Sequence, residues 1–362
     1  MSPAVKPTSR RILLRVLAVT AGHWGLSGPI TVRAWAQATG PVKPLTQLHI
    51  GYQRSTANFI ILKQQGVMEK RFPGAKIKWI DFPTGPQLFE ALAVGSIEFG
   101  LTGDSAPVIA KADGKDLVYV GAAPTKQWSS AILVGKDSSI RTLTDLKGKK
   151  IALQKGSSEH SLLIQAVAKG GLQWSDIQPN YLIPSEARAA FERKSVDAWV
   201  ISDPFYAATE LTIQPRILTT GTDLSNNNSF YLASRSFAID HPDAVAALFE
   251  ELSRADQFVQ QHRPQAIKLI ANFSGLNAVV VSLFLERCPP SPTGSITMTP
   301  VAQKQQLTDT FKKLGLIPKP VQSANFVWQP MVGSLTKAVG PERQAQHGLR
   351  RLSGNTFRQE YL

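Results

Sequence analysis

The chain is poor in sulfur, in acids and in long apolar runs. A single cysteine, Cys288, stands among 362 residues. That excludes an internal disulfide and any cysteine-rich metal site. The six histidines are scattered and join no paired carboxylates at metal-ligand spacing, which argues against a metal-binding receptor. Beyond the N-terminal region there is no run of about 18 apolar residues, the length a spanning helix needs. No G-x-S-x-G elbow is present. Residues 1–46 supply no helix-turn-helix, which excludes a DNA-binding regulator built on a ligand domain. Acidic residues number 26 against 40 lysines and arginines, a net charge of +14. The surplus is concentrated at the ends. Lys6, Arg10, Arg11, Arg15 and Arg33 stand within residues 1–38 without an acid, and the stretch from Lys337 holds five basic and two acidic residues. Between them the charge is mild, with no basic stripe interleaved with aromatics, so a nucleic-acid partner is not expected.

What is present is an ordinary globular composition, 43% apolar, and a length that predicts about two domains. The N-terminus reads as an export signal over residues 1–38. Ser9-Arg10-Arg11-Ile12-Leu13-Leu14 is similar to a twin-arginine motif, a mildly apolar stretch follows, and Ala34-Trp35-Ala36-Gln37-Ala38 offers small residues at A-x-A spacing. Arg15, His23 and Pro29 interrupt the apolar stretch and make it a poor membrane span. The mature chain is therefore expected to be soluble.

From residue 46 a strand–loop–helix rhythm begins. Strands are predicted at 48–52, 76–82, 97–101, 117–121, 131–134, 150–153, 178–182, 196–201, 216–219 and 229–234, with helices between most of them. Thr84-Gly85-Pro86-Gln87 fits a capping box, and Ser185 fits a cap for the helix through Phe191. Asp240-His241-Pro242-Asp243 opens a long helix with Val245, Leu248, Phe249, Leu252 and Val259 on one face. Further helices are expected near 264–272, 277–285 and 300–314. Alternation of strands and helices argues for parallel sheets covered on both faces. The strand at 131–134 leaves a first lobe (46–130) for a second (131–228). The strand at 229–234 returns to the first, which resumes through 229–336. Residues 337–362 are expected to be a disordered basic tail. A chain that leaves a lobe and returns makes a hinged clamp.

In open α/β sheets ligands bind beyond the carboxyl ends of the strands, where loops lead into helix N-termini. Four such loops stand out: Gln53–Asn58, Thr102–Ser105, Gly156–His160 and Ser202–Tyr206. The third is the most pointed. A short apolar strand, then Lys155-Gly156-Ser157-Ser158-Glu159-His160, then a helical apolar pattern is the order of an anion site. Unpaired N–H groups and the positive dipole end accept an anion without help from lysine or arginine. Ser-Ser before a helix also serves as a plain N-cap. Neutral donors at Gln53, Thr102, Gly103, Gly156, Ser157 and Ser158 suit an ionised oxyanion with three acceptor oxygens. Asp104 fits a helix cap better than a donor. Trp199, Phe205 and Tyr206, in and after the strand that leads to Asp203, are either an apolar wall for an organic tail or core.

These stretches together resemble the aliphatic sulfonate-binding proteins of bacterial ABC importers, within the group that also binds taurine and nitrate. The resemblance rests on Leu48–Gln53, Phe82–Gln87, Val94–Gly100, Thr102-Gly103-Asp104, Leu117–Gly121, Asp145–Lys149, Gln154–Ser158, Ala187–Phe191, Val196–Trp199, Asp203–Tyr206 and Gly221–Leu224, in order from about residue 47 to 330. It implies a two-lobed type II periplasmic binding fold, each lobe a mainly parallel sheet flanked by helices with two crossing hinge strands. It further implies a sulfonate in the cleft near Gln53, Thr102–Asp104, Gly156–Ser158 and His160, and no cofactor. The partners it implies are a membrane permease with its ATPase, and the setting a monomer in the periplasm serving sulfur acquisition. Glu159 stands where the family carries a small or polar residue and is expected to face solvent. Taurine, nitrate or a thiamine-pyrimidine precursor on the same fold is the alternative ligand. A hydrolase using Ser157 or Ser158, His160 and Asp104 is the alternative of another class, and it lacks a recognisable nucleophile motif.

Overall fold

In the computed structural model the described residues are 43–103, 105, 116–222, 224–225, 227–288, 298–317, 322 and 327–328. The proposed export signal, Asp104 and the basic tail lie outside them. Ten strands are described: β1 (Gln47–Tyr52), β2 (Lys76–Asp81), β3 (Phe99–Gly103), β4 (Leu117–Ala123), β5 (Ser130–Val134), β6 (Lys150–Leu153), β7 (Gln178–Tyr181), β8 (Ala198–Ser202), β9 (Arg216–Thr220) and β10 (Ser229–Ser234). They form two five-stranded sheets of the same plan, β2-β1-β3-β10-β4 and β7-β6-β8-β5-β9. In each, four strands run parallel and one runs against its two neighbours: β10 in the first sheet, β5 in the second.

The reversed strand is the crossing strand. β4 ends at Ala123 on the carboxyl edge of the first sheet, and after six intervening residues β5 starts at Ser130. A connection that short delivers the chain to the facing edge of the second sheet, from which it can only run away. β9 and β10 repeat this in the other direction. The connecting segments are tied to each other: Asn227 Nδ2 donates to Ser129 Oγ at 2.7 Å and to the Lys126 carbonyl at 3.2 Å.

Helices α1 (Ala57–Gln65), α2 (Val67–Arg71) and α3 (Gly85–Ala93) follow β1 and β2. In the second lobe, α4 (Ser158–Lys169) follows β6, α5 (Pro184–Glu192) follows β7, and α6 (Phe205–Thr212) follows β8. After β10 come α7 (Arg235–Asp240), α8 (Pro242–Gln261), α9 (Arg263–Ser274), α10 (Ala278–Arg287) and α11 (Met298–Lys313). One face of the first sheet is covered by α1, α8, α9 and α10, and the other by α3 and the end of α11. In the second sheet α4 covers one face and α5 the other. Every residue of β5 is buried, as a strand between two helical layers requires. Leu307 and Phe311 of α11 also reach across to Ile164 and Trp174 of the second lobe.

Three local details depart from the sequence reading. Ser185 sits in the first turn of α5, behind Pro184, whose fixed φ suits the first helical position; Ile183 is the N-cap. The Thr84 hydroxyl meets Gln87 Oε1 at 3.1 Å instead of a backbone N–H. The short α7, capped by Ser234 accepting from the Phe237 N–H, was not expected.

The first-lobe core centres on Phe59, fully buried, with ring centroids of Phe99 and Tyr231 at 6.1 and 5.9 Å. Phe59→Ala is expected to lower stability by about 3–5 kcal/mol, read from urea unfolding.

Candidate ligand-binding site

The carboxyl edges of the two sheets meet at one place. β3 ends at Gly103, and a Cβ built there would lie 2.2 Å from Ser158 Oγ, at the start of α4. First and second lobes touch here, and only a residue without a side chain permits the approach. α4 is preceded by Gly156 at φ +74°, which turns the chain from β6 into the helix. Ser157 occupies the N-cap position, but its hydroxyl is turned back, donating to the Gln154 carbonyl at 2.8 Å. The N–H of His160 donates to the Ser157 carbonyl. The amides of Ser158 and Glu159 therefore point outward at the positive end of a twelve-residue helix, without partners among the described residues.

The other predicted residues divide into those near this point and those built into the core. Gln53, half-buried, donates from Nε2 to the Leu101 carbonyl at 3.2 Å, so its side chain lies along the end of β3. Thr102 is buried, and its hydroxyl has no partner among the described residues. Glu159 is half-buried and not fully turned to solvent. His160 is not on the cleft surface. Its ring is enclosed by Trp174, Tyr181 and Phe311 at 5.3–5.6 Å, and Nδ1 accepts from the Gly156 N–H at 3.3 Å. Burial, then the Lys155 charge, push its pKa down to about 4, so it is neutral. Trp199 is corrected from pocket wall to core: it is 1% exposed and packs against Phe191 under α5, on the face of the sheet away from α4. Tyr206 shares that layer, with the Arg287 guanidinium 3.9 Å above its ring. Phe205, at the start of α6, is partly exposed. Asp203 is buried. Its Oδ1 accepts from the Ala207 N–H at 3.0 Å and from Arg287 at 3.3 Å, and its own N–H donates to the Ser129 carbonyl at 2.8 Å. Burial lifts its pKa to about 7, against the pull of Arg287.

Sequence reading missed two neighbours of the cleft. Arg287, at the end of α10 in the first lobe, pairs with Asp203 and Glu210 of the second. A small recess beside the N-terminus of α1 is lined by Ser55, Asn58, Lys126, Tyr231 and Asp256, among others. Lys126 lies in the connector between β4 and β5, so its position follows from the crossing. Arg287 carries no local signal, because its partners are more than 70 residues away.

Residues 79–266 match the NMT1/THI5-like family. The alkanesulfonate-binding protein SsuA of Xanthomonas axonopodis pv. citri, solved bound to MOPS, is 43% identical with a TM-score of 0.76, over 79% of this chain and 99% of that one. The periplasmic aliphatic sulphonate binding protein SsuA of Escherichia coli is 44% identical with a TM-score of 0.74, over 79% and 98%. The chain belongs to the NMT1/THI5-like family, in the branch of the aliphatic sulfonate-binding proteins. The taurine-binding periplasmic protein of Escherichia coli is a more distant member of this group, 26% identical over 73% of this chain and 82% of its own length.

Two predictions follow from this geometry. Gly103→Val is expected to hold the lobes apart at Ser158, increasing the radius of gyration in small-angle scattering. Two buried titratable groups, Asp203 and His160, act with opposite sign on stability. The Asp203 carboxyl, raised to about 7, costs stability as pH rises from about 4 to 7. His160, lowered to about 4, costs stability as pH falls from about 6.5 to 4. Melting temperatures across pH 4–7 are expected to lose the first slope in Asp203→Asn and the second in His160→Phe.

Proposed function

We propose that this protein is the substrate-binding component of an ABC importer, capturing aliphatic sulfonates between its lobes and delivering them to a membrane permease and its ATPase for sulfur acquisition. The observation that carries this reading is the contact of Gly103 with Ser158 at the uncapped N-terminus of α4. It joins the two lobes at a set of neutral donors, in a chain 43–44% identical to sulfonate-binding proteins. Neutral donors favour an anion that stays ionised and can still be released, because no buried ion pair has to be broken on delivery. A ligand spanning the contact binds the closed arrangement better than an open one and shifts the population toward closure. In this reading residues 1–38 direct export and the mature chain acts as a periplasmic monomer. Residues 46–130 with 229–336 form one lobe and 131–228 the other, and residues 337–362 are an appended tail. Ligand contacts come from Gln53, Thr102, Gly103, Gly156 and Ser158, with Ser157 contributing its backbone.

A hydrolase is disfavoured by the same geometry. The Ser157 hydroxyl donates to Gln154 and the ring of His160 is engaged with Gly156, so nucleophile and base are not paired.

Thermal shift and calorimetry with ethanesulfonate, longer alkanesulfonates, taurine, nitrate, sulfate and a thiamine-pyrimidine precursor test the reading. A sulfonate at 100 times its Kd is expected to stabilise the fold by about 2.7 kcal/mol. Response to nitrate or the pyrimidine alone would overturn the sulfonate assignment. Ser158→Ala is expected to weaken sulfonate binding by about 1–3 kcal/mol in calorimetry.

A further inference from the structure

Two serines face the start of α4 from the sheet beneath it: Ser202, which opens one of the four candidate loops, and Ser130, which no motif marks. Along β8, Ala198 and Val200 lie in the core layer under α4, whereas Trp199 and Ile201 lie in the opposite layer. The alternation of a strand therefore places Ser202 on the α4 side. Along β5, Ile132 and Val134 lie under α4 while Ala131 and Leu133 face away, which places Ser130 on the same side. Ser130 and Ser202 are directly opposite each other in the antiparallel pair. Their Cβ atoms are then roughly 5 Å apart, within reach of one small group. β8 is in parallel register with β6, Ala152 level with Trp199, which puts Ser202 level with Lys155 at the turn into α4. Both serines stand at the cleft edge of the second sheet, below the first turn of the helix.

Their hydroxyls are buried and have no hydrogen-bond partner among the described residues, and Ser130 is 1% exposed. Folded proteins rarely leave such groups unpaired, and an unpaired pair on one spot calls for an acceptor that arrives from outside. We propose that Ser130 and Ser202 are ligand-binding residues that complete the anion site from below, opposite the amides of Ser158 and Glu159. The inference rests on the sulfonate reading and specifies it. Donors above and below match a tetrahedral head with three acceptor oxygens. A planar nitrate or carboxylate keeps its acceptors in one plane and meets fewer of these donors at good hydrogen-bond angles. The pair of serines thus selects head-group shape.

The test uses the full chain, its Ser130→Ala and Ser202→Ala variants and the double variant, with ethanesulfonate and nitrate as probes in calorimetry. Each single change is expected to raise Kd for ethanesulfonate by about 10-fold or more. The double variant is expected to lose the preference for ethanesulfonate over nitrate. Without ligand, the melting temperature is expected to stay level or rise, because alanine removes an unpaired buried hydroxyl. A purely structural role would lower the ligand-free melting temperature instead. Wild-type affinity in the double variant would overturn the serine assignment and leave the sulfonate reading intact. Absence of ethanesulfonate binding by the wild-type chain would overturn both.

Discussion

The two crossing strands impose the constraint from which the rest of the architecture follows. Connectors of a few residues, between β4 and β5 and between β9 and β10, join the carboxyl edge of one sheet to that of the other. Each crossing strand must then run against its four sheet-mates, as β5 and β10 do. It follows that both sheets turn their carboxyl edges toward the same space. Loops that enter helices at those edges, including the turn into α4, are gathered there by connectivity. The two connectors hydrogen-bond to each other through Asn227, so the chain crosses between lobes as one tied band.

What gathers at that edge is a collection of weak, neutral donors. Amides at the start of α4, hydroxyls on β3, β5 and β8, and a glycine that lets the lobes meet make up the proposed site, which carries little fixed charge. Such a site binds an anion by many oriented dipoles. Each donor contributes modestly, and in the proposed site their arrangement selects the head group. The charged residues near the crossing do other work. Arg287 bridges Asp203 and Glu210 across the lobes and lies over Tyr206, at the junction of α10 with α6. His160 is neutral and packed among aromatics from both lobes, holding the first turn of α4 in place.

Much of the fold was legible in the sequence because it is written in short-range patterns. Alternating apolar strands, glycine–serine turns and the 3.6-residue spacing of α8 report local structure directly. The same patterns located the turns that hold Gly103, Gly156 and Ser158, although β3 runs two residues further than expected, through Gly103. Side-chain direction was less legible. Trp199 and Ser202 lie three residues apart on one strand, and only packing shows that the tryptophan goes into the α5 layer and the serine faces α4. His160 belongs to the anion-site motif by sequence and to the core by packing, since Phe311 arrives from a helix about 150 residues later.

By itself the sequence determined the alternation of strands and helices, the two lobes, the turn into α4 and the family. All of these depend on residue order within windows of about ten to twenty, or on an ordered set of such windows. Tertiary structure decided which strand is reversed in each sheet, which aromatics are core, and that Arg287 ties α10 to the Asp203 loop. It also decided that Ser130 and Ser202 share one face under α4. Those features depend on strand register and on contacts between distant segments, and neither is set by the local chain.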